Sequence, residues 1–171
     1  MGADGNFYVS FQLGGDSVYQ GTCLQSGTPV GCGGIERWAG TSGPTPIYSF
    51  CMTAGCPDGA NPVGQLVVEA NGNIYGTTPQ GGSNPSCPPV FGTNGGCGTA
   101  FEISQTSSTI LTTLYNFCSQ PNCTDGYLPA GLMQEVAGNF YGTTEGAYAS
   151  TDSAASCSPL VPAARSSAYR P

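Results

Sequence analysis

The stretch NGNIYGTT at residues 71–78 returns as AGNFYGTT at 137–144 and, in weaker form, as DGNFYVSF at 4–11. The glycines that open the shared core, Gly5, Gly72 and Gly138, lie 67 and 66 residues apart. Two further markers keep the same period. IYSFC at 47–51 recurs as LYNFC at 114–118, and CMTAGCPDG from Cys51 matches CSQPNCTDG from Cys118, each followed by a proline in register, Pro62 and Pro129. A fixed period of this length implies stacked supersecondary units that bury their faces against neighbours. The expected division is a partial first repeat over 1–61, a complete second repeat over 62–128, the start of a third over 129–145, and an irregular or disordered tail over 146–171.

Within one period the pattern divides into strands. GQLVVEA (64–70) runs into Asn71-Gly72 and then NIYGTT (73–78), and Asn-Gly between two β-favouring runs predicts a tight hairpin with both turn residues at positive φ. GTAFEIS (98–104) alternates Phe101 and Ile103 with Ala100 and Glu102, and TILTTLYNF (109–117) supplies a fourth strand. No stretch carries a helical period. The expected fold class is all-β, an antiparallel propeller-like repeat with four strands per blade of about 66 residues, incomplete at about two and a half repeats. A Gly, Pro, Asn and Ser-rich loop at 79–97 separates the second and third strands and lengthens the blade. After YGTTEG the corresponding loop and strand do not recur. The sequence there carries two of the three arginines, without alternation.

Composition removes several mechanisms. The chain has no His and no Lys, so it supplies no Ser-His-Asp triad, His-ligated zinc or Schiff-base lysine. Ten acidic residues against three arginines give a net charge of −7, which disfavours nucleic acid and anionic membrane surfaces as partners. No run approaches the roughly 20 apolar residues of a membrane span, so no membrane insertion is expected.

Nine cysteines in so uncharged a chain point to an oxidising compartment. The N-terminal sequence MGADGNFY has neither a basic nor an apolar signal region, so an extracellular or cell-surface location implies a targeting segment and anchor outside this chain. Local pairing within each repeat predicts Cys23–Cys32, Cys51–Cys56, Cys87–Cys97 and Cys118–Cys123, with Cys157 left unpaired. A metal site is the alternative use of these thiols. It is set aside because the two C-x4-C pairs lie a full repeat apart, whereas zinc sites join close pairs around one ion. No metal and no cofactor are expected.

The motifs GNFYGTT, GCGTAFEI, LTTLYNFC and DGYLPAGLMQ together resemble the bacterial tandem repeat named GloVer, found in exported, surface-anchored proteins of soil bacteria such as acidobacteria. The resemblance spans residues 4 to about 145, and departs from the pattern where the first copy reads YVSF for YGTT and GGIERWAG for the GTAFEI strand. It implies an extracellular repeat protein and brings no catalytic residues. VVEANGNIYGTT also resembles, more distantly, the blade core of NHL-type and gluconolactonase-like propellers, whose channel metal ligands have no counterparts at these positions.

Several side chains remain as candidates. Asp58-Gly59 and Asp125-Gly126 read as turn residues rather than calcium ligands. Glu69 and Glu135 share one register, as Glu36 and Glu102 share another, and paired carboxylates are what a glycosidase requires. Glu69, Glu102 and Glu135 are therefore the catalytic candidates, against the alternative of a solvated strand face. Tyr75, Thr77 and Thr78 with Tyr141, Thr143 and Thr144 form either a sugar-stacking strip or core between blades, and Trp38 a surface anchor or plug. The reading is a non-catalytic exported scaffold, adhesion or carbohydrate-facing module, with a glycan or cell-surface polymer as partner and self-association through open blade edges. The rival is a His-independent hydrolase, cleaving glycosides or esters through Glu and Asp.

Overall fold

The computed structural model describes residues 1–15, 23–25, 28–84, 87, 95–105, 108–131, 134–136 and 139–146. From the N-terminus, β1 (Phe7–Phe11) is followed by a small hairpin, β2 (Cys23–Gln25) and β3 (Thr28–Val30), and then by β4 (Gly34–Trp38) and β5 (Pro44–Ser49). Next come β6 (Val63–Val68), β7 (Ile74–Thr78), β8 (Thr99–Gln105) and β9 (Thr109–Asn116). A 3-10 turn at Pro121–Cys123 leads to β10 (Tyr127–Pro129), β11 (Gln134–Val136), β12 (Asn139–Tyr141) and β13 (Thr144–Gly146). The fold is all-β, and every strand-to-strand pairing among the described residues is antiparallel.

Two sheets form the centre, β1-β4-β5 and β6-β7-β8-β9, and neither closes on itself. The second matches the four expected strands to within a residue or two at each end. Its alternation follows from two buried faces. Ile74, Phe101 and Ile103 point one way and pack against Ile35 of the first sheet and Phe50, which follows β5, with the Phe50 and Phe101 rings 5.0 Å apart. Tyr75, Ala100 and Phe117 point the other way, towards Phe140 of β12, whose ring lies 4.4 Å from that of Tyr75. Each fully buried Phe or Ile contributes about 1.5–3 kcal/mol from burial alone. Gly76 makes the first contact possible, because a Cβ there would lie 2.6 Å from Cζ of Phe101.

The Asn-Gly turn differs from expectation. Only Gly72 is left-handed, at φ 89, and Asn71 is not. Glu69 N donates to Asn73 O at 2.9 Å and Gly72 N to Glu69 O at 3.0 Å, which closes a three-residue loop carrying one left-handed glycine. The cause is the Asn71 side chain, whose Oδ1 accepts from Asn73 N at 2.9 Å and holds the preceding turn right-handed. Asp4-Gly5-Asn6 closes the same way, with Asp4 Oδ1 accepting from Asn6 N at 3.1 Å and Gly5 at φ 79.

The pairing of Glu36 with Glu102 is also corrected. In the second sheet Glu102 stands opposite Tyr75, and in the first the residue opposite the matching Tyr8 is Arg37. Glu36 stands opposite Val9, the position held by Phe101 opposite Gly76. The offset is therefore one residue shorter than the sequence match of the two glutamates, and a one-residue slip in a strand moves a side chain to the other face.

Candidate functional site

Two of the three suspected carboxylates meet at the tip of the β6–β7 hairpin. Glu69 Oε2 accepts from the Tyr75 hydroxyl and from the Asn71 side-chain amide, both at 3.1 Å. Glu102, across from Tyr75 on β8, accepts from the Asn73 amide at 2.6 Å. Burial raises the Tyr75 hydroxyl well above its ordinary pKa; Asn73 opposes the shift, and the negative charges of Glu102 and Glu69 reinforce it. Tyr75 is thus a fixed proton donor to Glu69, and both carboxylates are held by side chains of the β6–β7 hairpin. Glu135 lies on β11 opposite Phe140, in a different hairpin, and its side chain is outside the described residues.

The Asp-Gly turns are latches on the cysteine loops. Asp58 Oδ2 accepts from the Tyr48 hydroxyl and from Cys51 N, each at 3.0 Å. Asp125 repeats the arrangement, taking the Tyr115 hydroxyl at 2.6 Å, Ser119 N at 2.8 Å, the Ser119 hydroxyl at 3.0 Å and Gln120 N at 3.2 Å. The two differ electrostatically. Burial holds the Asp58 carboxyl above the ordinary carboxylate range against its two donors, and its Oδ1 is buried without a partner. Burial acts the same way on Asp125, but there the four donors outweigh it and the carboxyl sits below that range. Sequence reading saw both aspartates only as turn residues. The available signal was the constant ten-residue step from tyrosine to aspartate in both copies.

The proposed sugar-stacking strip divides. Tyr75 and Thr77 are buried, so neither offers a free face, and for Tyr75 the packing alternative is what the fold contains. Tyr141 is 45% exposed, Thr143 is half-buried, and Trp38 is 43% exposed at the end of β4. Thr78 and Thr99 share a buried hydrogen bond of 2.8 Å beneath Gly59.

The four expected disulfides are present: Cys23–Cys32, Cys51–Cys56, Cys87–Cys97 and Cys118–Cys123. Cys157 lies outside the described residues. The two C-x4-C pairs lie a full repeat apart, yet the fold brings each of them against the longer cysteine loop of its own unit. Sulfurs of Cys32, Cys51 and Cys56, and those of Cys87, Cys97 and Cys118, gather within 4.8 Å. With the sulfurs bonded in pairs, the thiolates that zinc requires are consumed. No helix among the described residues is long and apolar enough to cross a membrane. Comparison with protein families, curated proteins and solved structures finds no match.

Proposed function

We propose that the chain is part of an exported bacterial repeat protein of the GloVer type, a non-catalytic scaffold for surface adhesion or carbohydrate-facing binding. In this reading its sheets stack as propeller blades and disulfides brace their loops. One observation carries it: the residues that recur with the period are spent on holding the fold together. Tyr48–Asp58 and Tyr115–Asp125 latch the cysteine loops, Tyr8 and Tyr75 each bear on the following unit, and Glu69 and Glu102 tie down a hairpin tip. The disulfides support an extracellular or cell-surface location. The exposed Tyr141 marks a surface through which neighbouring blades or further copies would join.

The rival hydrolase reading has one observation in its favour, the convergence of Glu69 and Glu102 around Tyr75 and Asn73. Purified protein screened against chromogenic glycosides and esters separates the two. The scaffold reading expects no turnover, and turnover abolished by Glu69→Gln, Glu102→Gln or Glu135→Gln overturns it. Thiol counting beside native mass checks the bracing, with eight oxidised cysteines and one free thiol per chain expected.

A further inference from the structure

The first sheet turns one face to the second, and no described residue covers the other. The uncovered face is two rows deep across β1, β4 and β5: Phe7, Trp38 and Pro44, then Val9, Glu36 and Pro46. Phe7 is 58% exposed, Val9 44% and Trp38 43%, and both prolines are exposed. In the second sheet the matching positions are Ile74 beside Ile103, then Gly76 beside Phe101, and there the first sheet buries them. Against that template Phe7 and Trp38 stand in place of the two isoleucines and Glu36 in place of Phe101.

Two kinds of occupant suit an apolar sheet face: another sheet, or a ligand that mixes apolar and hydroxyl surface. Glu36 decides between them. It stands where Phe101 meets the ring of Phe50, so a sheet docked in the same register would press a carboxylate against hydrocarbon and away from water, which is strongly unfavourable without a partner. A sugar instead presents C–H surface to the rings and hydroxyl donors to the carboxylate. Phe7 and Trp38 are directly opposed across β1 and β4, at the cross-strand spacing of roughly 5 Å, and Glu36 lies one row along. The net charge of −7 argues against an acidic glycan.

We infer that this face binds a neutral oligosaccharide, with Phe7 and Trp38 stacking on pyranose rings and Glu36 accepting hydrogen bonds from their hydroxyls. The inference rests on the carbohydrate-facing form of the scaffold reading. Trp38 is the sole tryptophan of the chain, so its fluorescence reports the site directly. The oxidised full chain is titrated with cello-, xylo- and laminarihexaose, following Trp38 emission and, independently, the heat of binding.

A saturable blue shift with at least one hexaose is expected. Phe7→Ala weakens that binding about tenfold, the scale of one lost ring contact, and Glu36→Leu abolishes it. Both variants keep the parent unfolding midpoint: Phe7 is exposed, and the half-buried Glu36 lies on the same face. Trp38→Ala is read by calorimetry and loses binding as well. Three results overturn the inference: no shift and no heat with any of the three sugars, sugar binding unchanged in Phe7→Ala, or a blue shift that follows protein concentration alone. The last, with doubled mass by light scattering and strengthening in Glu36→Leu, assigns the face to a second copy. None of these results produces turnover, so failure here is distinct from failure of the scaffold reading.

Discussion

Replacing Gly59 by alanine tests whether the Asp-Gly latch is seated where the fold places it. Gly59 has φ 104, and a Cβ there would overlap the Thr78 hydroxyl and lie 2.7 Å from that of Thr99. Both threonines are fully buried. Their hydroxyls are committed to each other at 2.8 Å, and Thr78 also donates to Gln80 O at 3.0 Å. Gly72 is the matched control, left-handed at φ 89 but with nothing within 4 Å of an added Cβ. Alanine at either site carries the left-handed penalty of roughly 1–2 kcal/mol. At Gly59 the displaced threonines add about 1 kcal/mol for each of two hydrogen bonds and about 1 kcal/mol or more of overpacking. The expected losses are about 4 kcal/mol or more for Gly59→Ala and about 1–2 kcal/mol for Gly72→Ala. Urea unfolding with disulfides intact reads this as a separation of midpoints at unchanged slope. Adding Thr78→Ala to Gly59→Ala removes the overlapping atoms and should recover part of the difference, giving a coupling energy between the two sites. Equal midpoints for the two glycine variants, or strict additivity of the Gly59 and Thr78 changes, would refute the contact.

The two latches should titrate to opposite sides of the ordinary aspartate value of 3.8. Asp125, held below it, contributes stability above 3.8 that is lost as pH falls through its folded value. Asp58, held above it, contributes stability below 3.8 that is lost as pH rises through its folded value. Carboxyl carbon shifts followed by NMR measure both, and a common midpoint counts against the geometry. Met52 stands where the second copy has Ser119, so Met52→Ser adds the hydroxyl donor that Asp58 lacks and should lower its midpoint and raise stability by about 0.5–1.5 kcal/mol. Cys118→Ser with Cys123→Ser opens a loop of separation 5 and should cost about 2 kcal/mol; Cys87→Ser with Cys97→Ser opens one of separation 10 and should cost about 2.7 kcal/mol. The reverse order in urea midpoints would count against the chain-entropy account. Tyr75→Phe removes the hydroxyl with its bond to Glu69 and should cost about 0.5–1.5 kcal/mol, whereas Tyr75→Ala also leaves Phe140 unsupported and should cost about 3–5 kcal/mol.

β6 to β9 were legible in the sequence because both faces of that sheet are buried, so Ile74, Tyr75, Ala100, Phe101 and Ile103 hold to the alternation of the strand. The cysteine pairs were legible because each closes a short loop within its own unit. The one-residue slip at Glu36 was not. GGIERWAG offers two charges and one tryptophan where GTAFEI offers a clean apolar row, and matching glutamate to glutamate chose the wrong face. The Tyr–Asp latches join residues ten apart across a disulfide loop, a distance that no strand or turn pattern registers. The β2–β3 hairpin escaped for a related reason: it sits inside the loop closed by Cys23 and Cys32, where the sequence shows no alternation. Pairing of β10 with β13 depends on a chain reversal around the intervening β11–β12 hairpin, which local pattern does not encode.

Comparison of the copies separates what builds the molecule from what distinguishes it. Tyr8 and Tyr75, Phe50 and Phe117, Asp58 and Asp125, and Gly59 and Gly126 keep their residue types because each meets the same neighbours: a following unit, a buried latch or a threonine hydroxyl. Ile74 becomes Phe7, Phe101 becomes Glu36 and Ile103 becomes Trp38 on a sheet face that no described residue covers. A residue that loses its partner is released from the packing rule that fixed it, and drift alone would favour small polar substitutions there. Two larger aromatic rings in neighbouring positions, beside one carboxylate and two prolines, run against that expectation. The repeated stretch Gly-Asn-x-Tyr therefore accounts for the strand framework, and the sugar-binding face we propose falls where the first unit departs from the second.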